Sequence, residues 1–126
     1  MNARRGATTP DPRSLLPLTP AALHILLALA DGERHGYAIM RDVEERSGGE
    51  VRLAPGTLYG AIKRMLDQGV VEELADRPAP DEDDERRRYY RLTRFGREVA
   101  RVEVARLERL VETARSARLV PRPRAS

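Results

Sequence analysis

The chain has 126 residues, 34% of them charged and 40% apolar, and a formal net charge of +3, enough for one small domain plus an extra element with a modest core. It contains no cysteine, which excludes disulfides, thiolate metal sites and cysteine nucleophiles and fits a reducing cytoplasm. The longest apolar run, residues 25–30, is far short of the roughly 20 residues a membrane span needs, and no apolar signal core follows Arg4 and Arg5, so a cytoplasmic protein without membrane contact is expected.

Residues 1–17 carry Pro10, Pro12 and Pro17 among small and polar residues and read as a flexible N-terminal arm. Its Arg4, Arg5 and Arg13 suit contact with a DNA backbone or minor groove; the alternative is a disordered leader. Thr19-Pro20 is a cap followed by a helix-starting proline. Leu23, Leu26, Leu27 and Ala30 supply the apolar stripe of a first helix, which Asp31-Gly32 ends. A second helix spans about 35–46 with Tyr37, Ile39, Met40 and Val43 facing inward. Ser47-Gly48-Gly49 breaks it, glycine being suited to a left-handed C-terminal position. Residues 51–53 read as a short extended piece.

The third helix is the most informative segment. Pro55 opens it, and Leu58, Ile62, Met65 and Leu66 recur at i, i+4, i+7 and i+8, one helical face. Thr57, Gly60, Lys63, Arg64 and Asp67 fall mainly on the other face, which is small, polar and basic. Gly69 stops the helix. A short amphipathic helix followed at once by a strand is what a winged helix-turn-helix inserts into the DNA major groove.

Residues 70–75 and 86–93 read as two strands joined by a polar loop, 76–85, which makes a wing. Five consecutive acids, Asp81 to Glu85, stand next to Arg86, Arg87 and Arg88. With those acids set aside the formal charge rises to +8, and 22 of the 23 basic residues are arginine, which suits bidentate phosphate and base recognition. The acids either hang away from DNA at the wing tip, partly neutralise the arginines, or form a solvated loop. From 93 to about 118 the chain is strongly helical. Ala100, Val104, Leu107, Val111 and Ala114 follow a 4-3-4-3 spacing, a heptad seam, with Val99, Val102 and Leu110 widening it. Such a rod, about 37 Å long, extends beyond a small domain and needs a partner surface. The tail, 119–126, with Pro121 and Pro123, cannot continue the helix.

No Ser-His-Asp set, phosphate-binding glycine loop or paired carboxylate stands out. His24 and His35 lack a second ligand at metal spacing. The expectation is therefore no enzyme activity, no cofactor and no metal.

Four motifs in order resemble the PadR family of bacterial transcriptional regulators: L-T-P-A-A-L-H-I-L-L-A-L from Leu18, H-G-Y-A-I from His35, G-T-L-Y-G-A-I-K-R from Gly56 and R-Y-Y-R-L-T-R-F-G-R from Arg88. The chain is similar to the short, single-domain subfamily. The resemblance implies a mainly α fold with a small β wing (α+β): a winged helix-turn-helix over 18–93 and a long C-terminal dimerisation helix over 94–118. It implies a homodimeric repressor that binds double-stranded DNA. Carried onto this sequence, Thr57, Tyr59, Lys63 and Arg64 become DNA-facing, Pro55 and Gly56 set the helix N-terminus close to phosphates, and Arg86, Arg87 and Arg88 become wing contacts. Tyr37 is either a backbone contact or a core residue, and Tyr59 either binds a phosphate or packs sideways against the wing. The seam from Ala100 to Ala114 becomes the dimer interface. The family often responds to a small aromatic or cationic effector, for which a chain with no Trp, Phe95 as its one Phe and four Tyr offers little stacking surface. One position departs from the pattern: Ala54 stands where family members have a Ser-like cap. The alternative reading is a winged-helix protein-interaction module that has lost DNA binding.

Overall fold

The computed structural model describes residues 10–74 and 88–121. Thr19 opens α1 (Pro20–Ala28): its Oγ1 accepts the Ala22 N–H at 3.1 Å, and Pro20 supplies the first helical residue. After a turn at Gly32, Arg34–His35 form a short strand, β1, that runs directly into α2 (Gly36–Arg46). His35 caps α2 through Nδ1, which accepts the Ala38 N–H at 3.1 Å. Gly48 and Gly49 then take φ of 65° and 86°, left-handed values that turn the chain out of the helix. α3 (Pro55–Asp67) follows and ends at Gly69, φ 76°. Strands β2 (Val71–Glu73) and β3 (Tyr89–Leu92) lead into α4 (Arg94–Ser116).

The sheet has the order β1-β3-β2 and is antiparallel throughout. Arg34 pairs with Tyr90 and His35 with Tyr89; Val71 pairs with Leu92 and Glu72 with Arg91. The core lies where the helices meet this sheet. Ile25 and Leu26 of α1 and Leu29 just after it, Ile39 and Val43 of α2, Leu58, Ile62 and Met65 of α3, and Val99 of α4 are buried against Val70, Val71, Tyr90 and Leu92. Thr93 joins three elements. Its Oγ1 donates to the Gly69 carbonyl at 2.5 Å and accepts the Gly96 N–H at 2.9 Å, capping α4. Gly96 is pressed against the Val70 carbonyl so closely that a side chain there would overlap it.

Several expectations need correction. The arm expected through Pro17 has structure at its end: Pro12–Leu15 form a 3-10 helix packed on α4, with Leu15 and Leu16 against the core. The inward face of α1 is Ile25, Leu26, Ala28 and Leu29, whereas Leu23 and Leu27 lie toward α4. Tyr37 faces outward, 45% exposed, because Gly36 and Ile39 take the buried positions at that end of α2. Both wing strands are shorter than expected, and the two-residue β1 is too short to show a period in the sequence. The acids Asp81 to Glu85 and the arginines Arg86 and Arg87 lie outside the described residues, as do Arg4, Arg5 and the tail from Arg122 on.

Candidate nucleic-acid interface

The amphipathic pattern of α3 places its residues as expected. Leu58, Ile62 and Met65 are buried, while Pro55, Gly56, Thr57, Lys63 and Arg64 are exposed. Among the described residues no ion pair engages Lys63 or Arg64, so both cations face outward uncompensated. The Arg64 guanidinium folds back over Gly60, its Nη1 3.8 Å from where a Cβ on that glycine would stand. Long helical side chains lean toward the helix N-terminus, and the small residue one turn earlier leaves the surface beneath open.

The entrance to α3 is unusual. Ala54 takes the cap position with extended backbone, φ −68° and ψ 153°, and makes no side-chain cap bond. Pro55 has no N–H, and the first-turn N–H groups of Gly56 and Thr57 have no intrahelical partner. The helix therefore presents backbone donors and the positive end of its dipole at an exposed, small-residue entrance. A phosphate is the sort of group such an entrance accepts.

Tyr59 is placed differently from the exposed set. It is half-buried, and its phenol end lies against Gly36, leaving no room for a side chain there. The start of α2 is thus one packing partner of Tyr59. The same Gly36 donates its N–H to the Arg88 carbonyl at 3.2 Å. One glycine, invisible as a site from its letter alone, hence joins α2, α3 and the base of the wing. Arg88 is exposed, with Nη1 3.8 Å from Glu73 Oε2, so its charge is partly answered within the wing. Arg91 and Glu72 make a cross-strand pair at 2.7 Å.

Charge pairs also brace α2. Asp42 binds Arg46 Nε at 2.8 Å and Arg34 Nη2 at 3.5 Å, Arg46 reaches Asp31 at 2.5 Å, and Arg34 Nε donates to the Ala28 carbonyl at 2.7 Å. The hydrogen bond from Arg46 holds the exposed Asp31 carboxyl below its usual range. These residues fix the α1 end, β1 and α2 to one another and leave the outer face of α3 untouched.

On α4, Val99 and Glu103 turn inward, while Val104 and Val111 are 39% and 43% exposed and Leu107 is half-buried. Ala100 and Ala114 are half-buried. Leu23 and Leu27 of α1 join Val104, Leu107 and Val111 around an open apolar groove, with Glu108, Glu112 and Arg115 at its rim.

Three packed helices, with the third followed by a strand pair, define a winged helix-turn-helix, here carrying a long additional helix. The model of the transcriptional regulator PadR-like family matches residues 25–102, and the chain belongs to that family. The family is one of transcription regulators rather than enzymes, in keeping with the absence of catalytic motifs from the sequence. Among solved structures, a transcriptional regulator from Clostridium thermocellum aligns at TM-score 0.62 and 23% identity over 76% of this chain and 87% of its own. A PadR family transcription regulator from Clostridium difficile aligns at TM-score 0.61 and 22% identity over 76% and 95%. RosR of H. salinarum aligns at TM-score 0.56 and 27% identity, covering 82% of this chain and 98% of that one. A stretch of 90 residues, 71% of this chain, is 41% identical to an uncharacterized 37.1 kDa protein in transposon TN4556 of Streptomyces fradiae. The chain spans only 24% of that relative's length, and 64% of an uncharacterized protein X of Lysinibacillus sphaericus that is 27% identical over 73 residues. Among the described residues no helix is long and apolar enough to cross a membrane, and no cluster of His, Cys, Asp or Glu could hold a metal.

Proposed function

We propose that this chain is a cytoplasmic, homodimeric repressor that reads duplex DNA with α3 and pairs with a second copy through α4. The observation that carries the reading is the outer face of α3: Thr57, Lys63 and Arg64 exposed together behind an uncapped entrance at Pro55 and Gly56. Lys63 and Arg64 have no protein partner to lose among the described residues, so DNA contact costs them no ion pair. Arg88 extends the same contact from the wing base, and Tyr59 serves it indirectly by seating α3 against Gly36. The apolar row on α4, with Leu110 53% exposed beside Val104 and Val111, supports a second copy of the chain as its cover. Paired through α4, two α3 helices would address successive major grooves about 34 Å apart.

Selection from a random duplex pool tests this directly. The expected product is an inverted repeat with half-site centres separated by about one helical turn, roughly 10 bp. A pool that shows no enrichment over many rounds contradicts the reading.

A further inference from the structure

We propose that Arg41 and Tyr37, stacked on the exposed face of α2, form a phosphate clamp that holds the DNA backbone beside α3. The proposal rests on the DNA-reading role given to α3 above. Arg41 Cζ lies 5.9 Å from the centroid of the Tyr37 ring. Stacking a guanidinium on an aromatic face restrains the side chain and leaves its N–H edge free for an anion. Among the described residues Arg41 enters no ion pair. Asp42, next to it in the chain, has its carboxylate taken up by Arg34 and Arg46.

Position gives the pair its partner. Tyr37 follows Gly36, the glycine that touches Tyr59 of α3 and hydrogen-bonds to Arg88 at the wing base. In a helix-turn-helix the helix before the reading helix crosses the sugar–phosphate backbone, and here that helix is α2. Two of its N-terminal donors are already engaged, the Gly36 N–H by the Arg88 carbonyl and the Ala38 N–H by His35 Nδ1. The charge that holds a phosphate here is therefore that of the Arg41 side chain, next to the Tyr37 ring. Tyr37 and Arg41 line a hollow of about 220 Å³ together with Arg34 and His35. Glu45 lines it too and opposes an anion there.

The test uses the full chain and the duplex that wild type binds best, with anisotropy read across a salt series. Arg41→Ala is expected to weaken binding on the order of tenfold, the worth of one charge-assisted bond. It should lower the log–log salt slope by about 0.9 per protomer, and it should act equally on an unrelated duplex, as a phosphate contact does. Its effect should shrink in a Tyr37→Ala background, because the pair acts as a unit, whereas Glu45→Gln should tighten binding. All three positions are exposed, and unchanged melting temperatures establish that the variants fold. An unaltered salt slope in Arg41→Ala, while Lys63→Ala with Arg64→Ala still abolishes binding, overturns the clamp alone. A change confined to one DNA sequence, with the slope intact, overturns it too by making Arg41 a base contact. A wild-type chain with no DNA affinity overturns the role of α3 and the clamp with it.

Discussion

Glu103, 1% exposed in the middle of α4, accepts the backbone N–H of Leu18 at 2.9 Å across 85 residues of sequence. Arg106 binds the same carboxylate through both oxygens, at 2.6 and 3.0 Å. This buried acid pins the residue before the Thr19 cap to α4, and so sets how α1 lies along the helix proposed to pair the subunits. Glu103→Ala strands the Leu18 N–H and half-exposed Arg106, and is expected to destabilise the fold by about 2 kcal/mol, the range for a lost bond to a charged group. Glu103→Gln retains an acceptor for Leu18 and should lose less. Denaturant midpoints of the two variants check the order.

The pH dependence follows from the same carboxylate. The Arg106 hydrogen bond, and then the Leu18 N–H, outweigh burial and hold the Glu103 carboxyl below its usual range. A depressed folded value means that its stabilisation is present above the ordinary glutamate range, about 4.3, and fades as pH falls through the lower folded value. The stability gap between wild type and Glu103→Gln should therefore be constant near neutrality and narrow only in acid. A gap that narrows between pH 8 and 6 would contradict this assignment.

Gly96→Ala sets a methyl group against the Val70 carbonyl, which is backbone and already accepts the Thr93 N–H. Overpacking of this kind costs about 1–3 kcal/mol, and the thermal midpoint should fall by several degrees. Gly36→Ala should fall less, since the end of Tyr59 can swing aside more readily than a main chain can. It should also weaken DNA binding, because Tyr59 seats α3.

Ala54→Ser restores a side-chain acceptor at the entrance of α3 and should stabilise the protein by about 1 kcal/mol. The new hydroxyl would occupy a first-turn N–H otherwise free for phosphate. A higher melting temperature without tighter DNA binding is the expected pair of results, measured by calorimetry and anisotropy.

Leu107→Glu puts a charge into the apolar row of α4, where Leu107 is half-buried beside Leu23 and Leu27. Sedimentation should show monomers that keep their helical content. A dimer that survives places the interface elsewhere.

Much of this fold is readable from local rules. Thr19-Pro20, Pro55 and the glycine pair at Gly48-Gly49 mark helix ends because capping and left-handed turns demand particular residues, and all of them stand at such ends. The inward face of α3 followed from its spacing. On α1 the spacing misled, because nearly every residue is apolar and only the tertiary contacts decide that Ile25 and Leu29 go inward while Leu23 and Leu27 turn to α4. The strand at Arg34–His35 was hidden because two residues cannot show alternation. Glu103 was hidden because a buried acid depends on partners at Leu18 and Arg106, one of them 85 residues distant. In the candidate site, Thr57, Lys63 and Arg64 were legible as an outward face, whereas the Gly36–Tyr59 junction arises only when α2 and α3 are brought together, and the Arg41–Tyr37 stack, one turn apart on α2, was hidden because Tyr37 reads from the sequence as an inward residue.

If the outer face of α3 holds DNA, Lys63 and Arg64 are needed for binding and not for folding or pairing. A gel shift on the duplex upstream of the chain's own gene, comparing wild type with Lys63→Ala combined with Arg64→Ala, tests it most directly. Wild type is expected to shift the duplex and the double variant to lose the shift at the same protein concentration, with sedimentation and melting unchanged. A double variant that shifts the duplex as well as wild type does would contradict it.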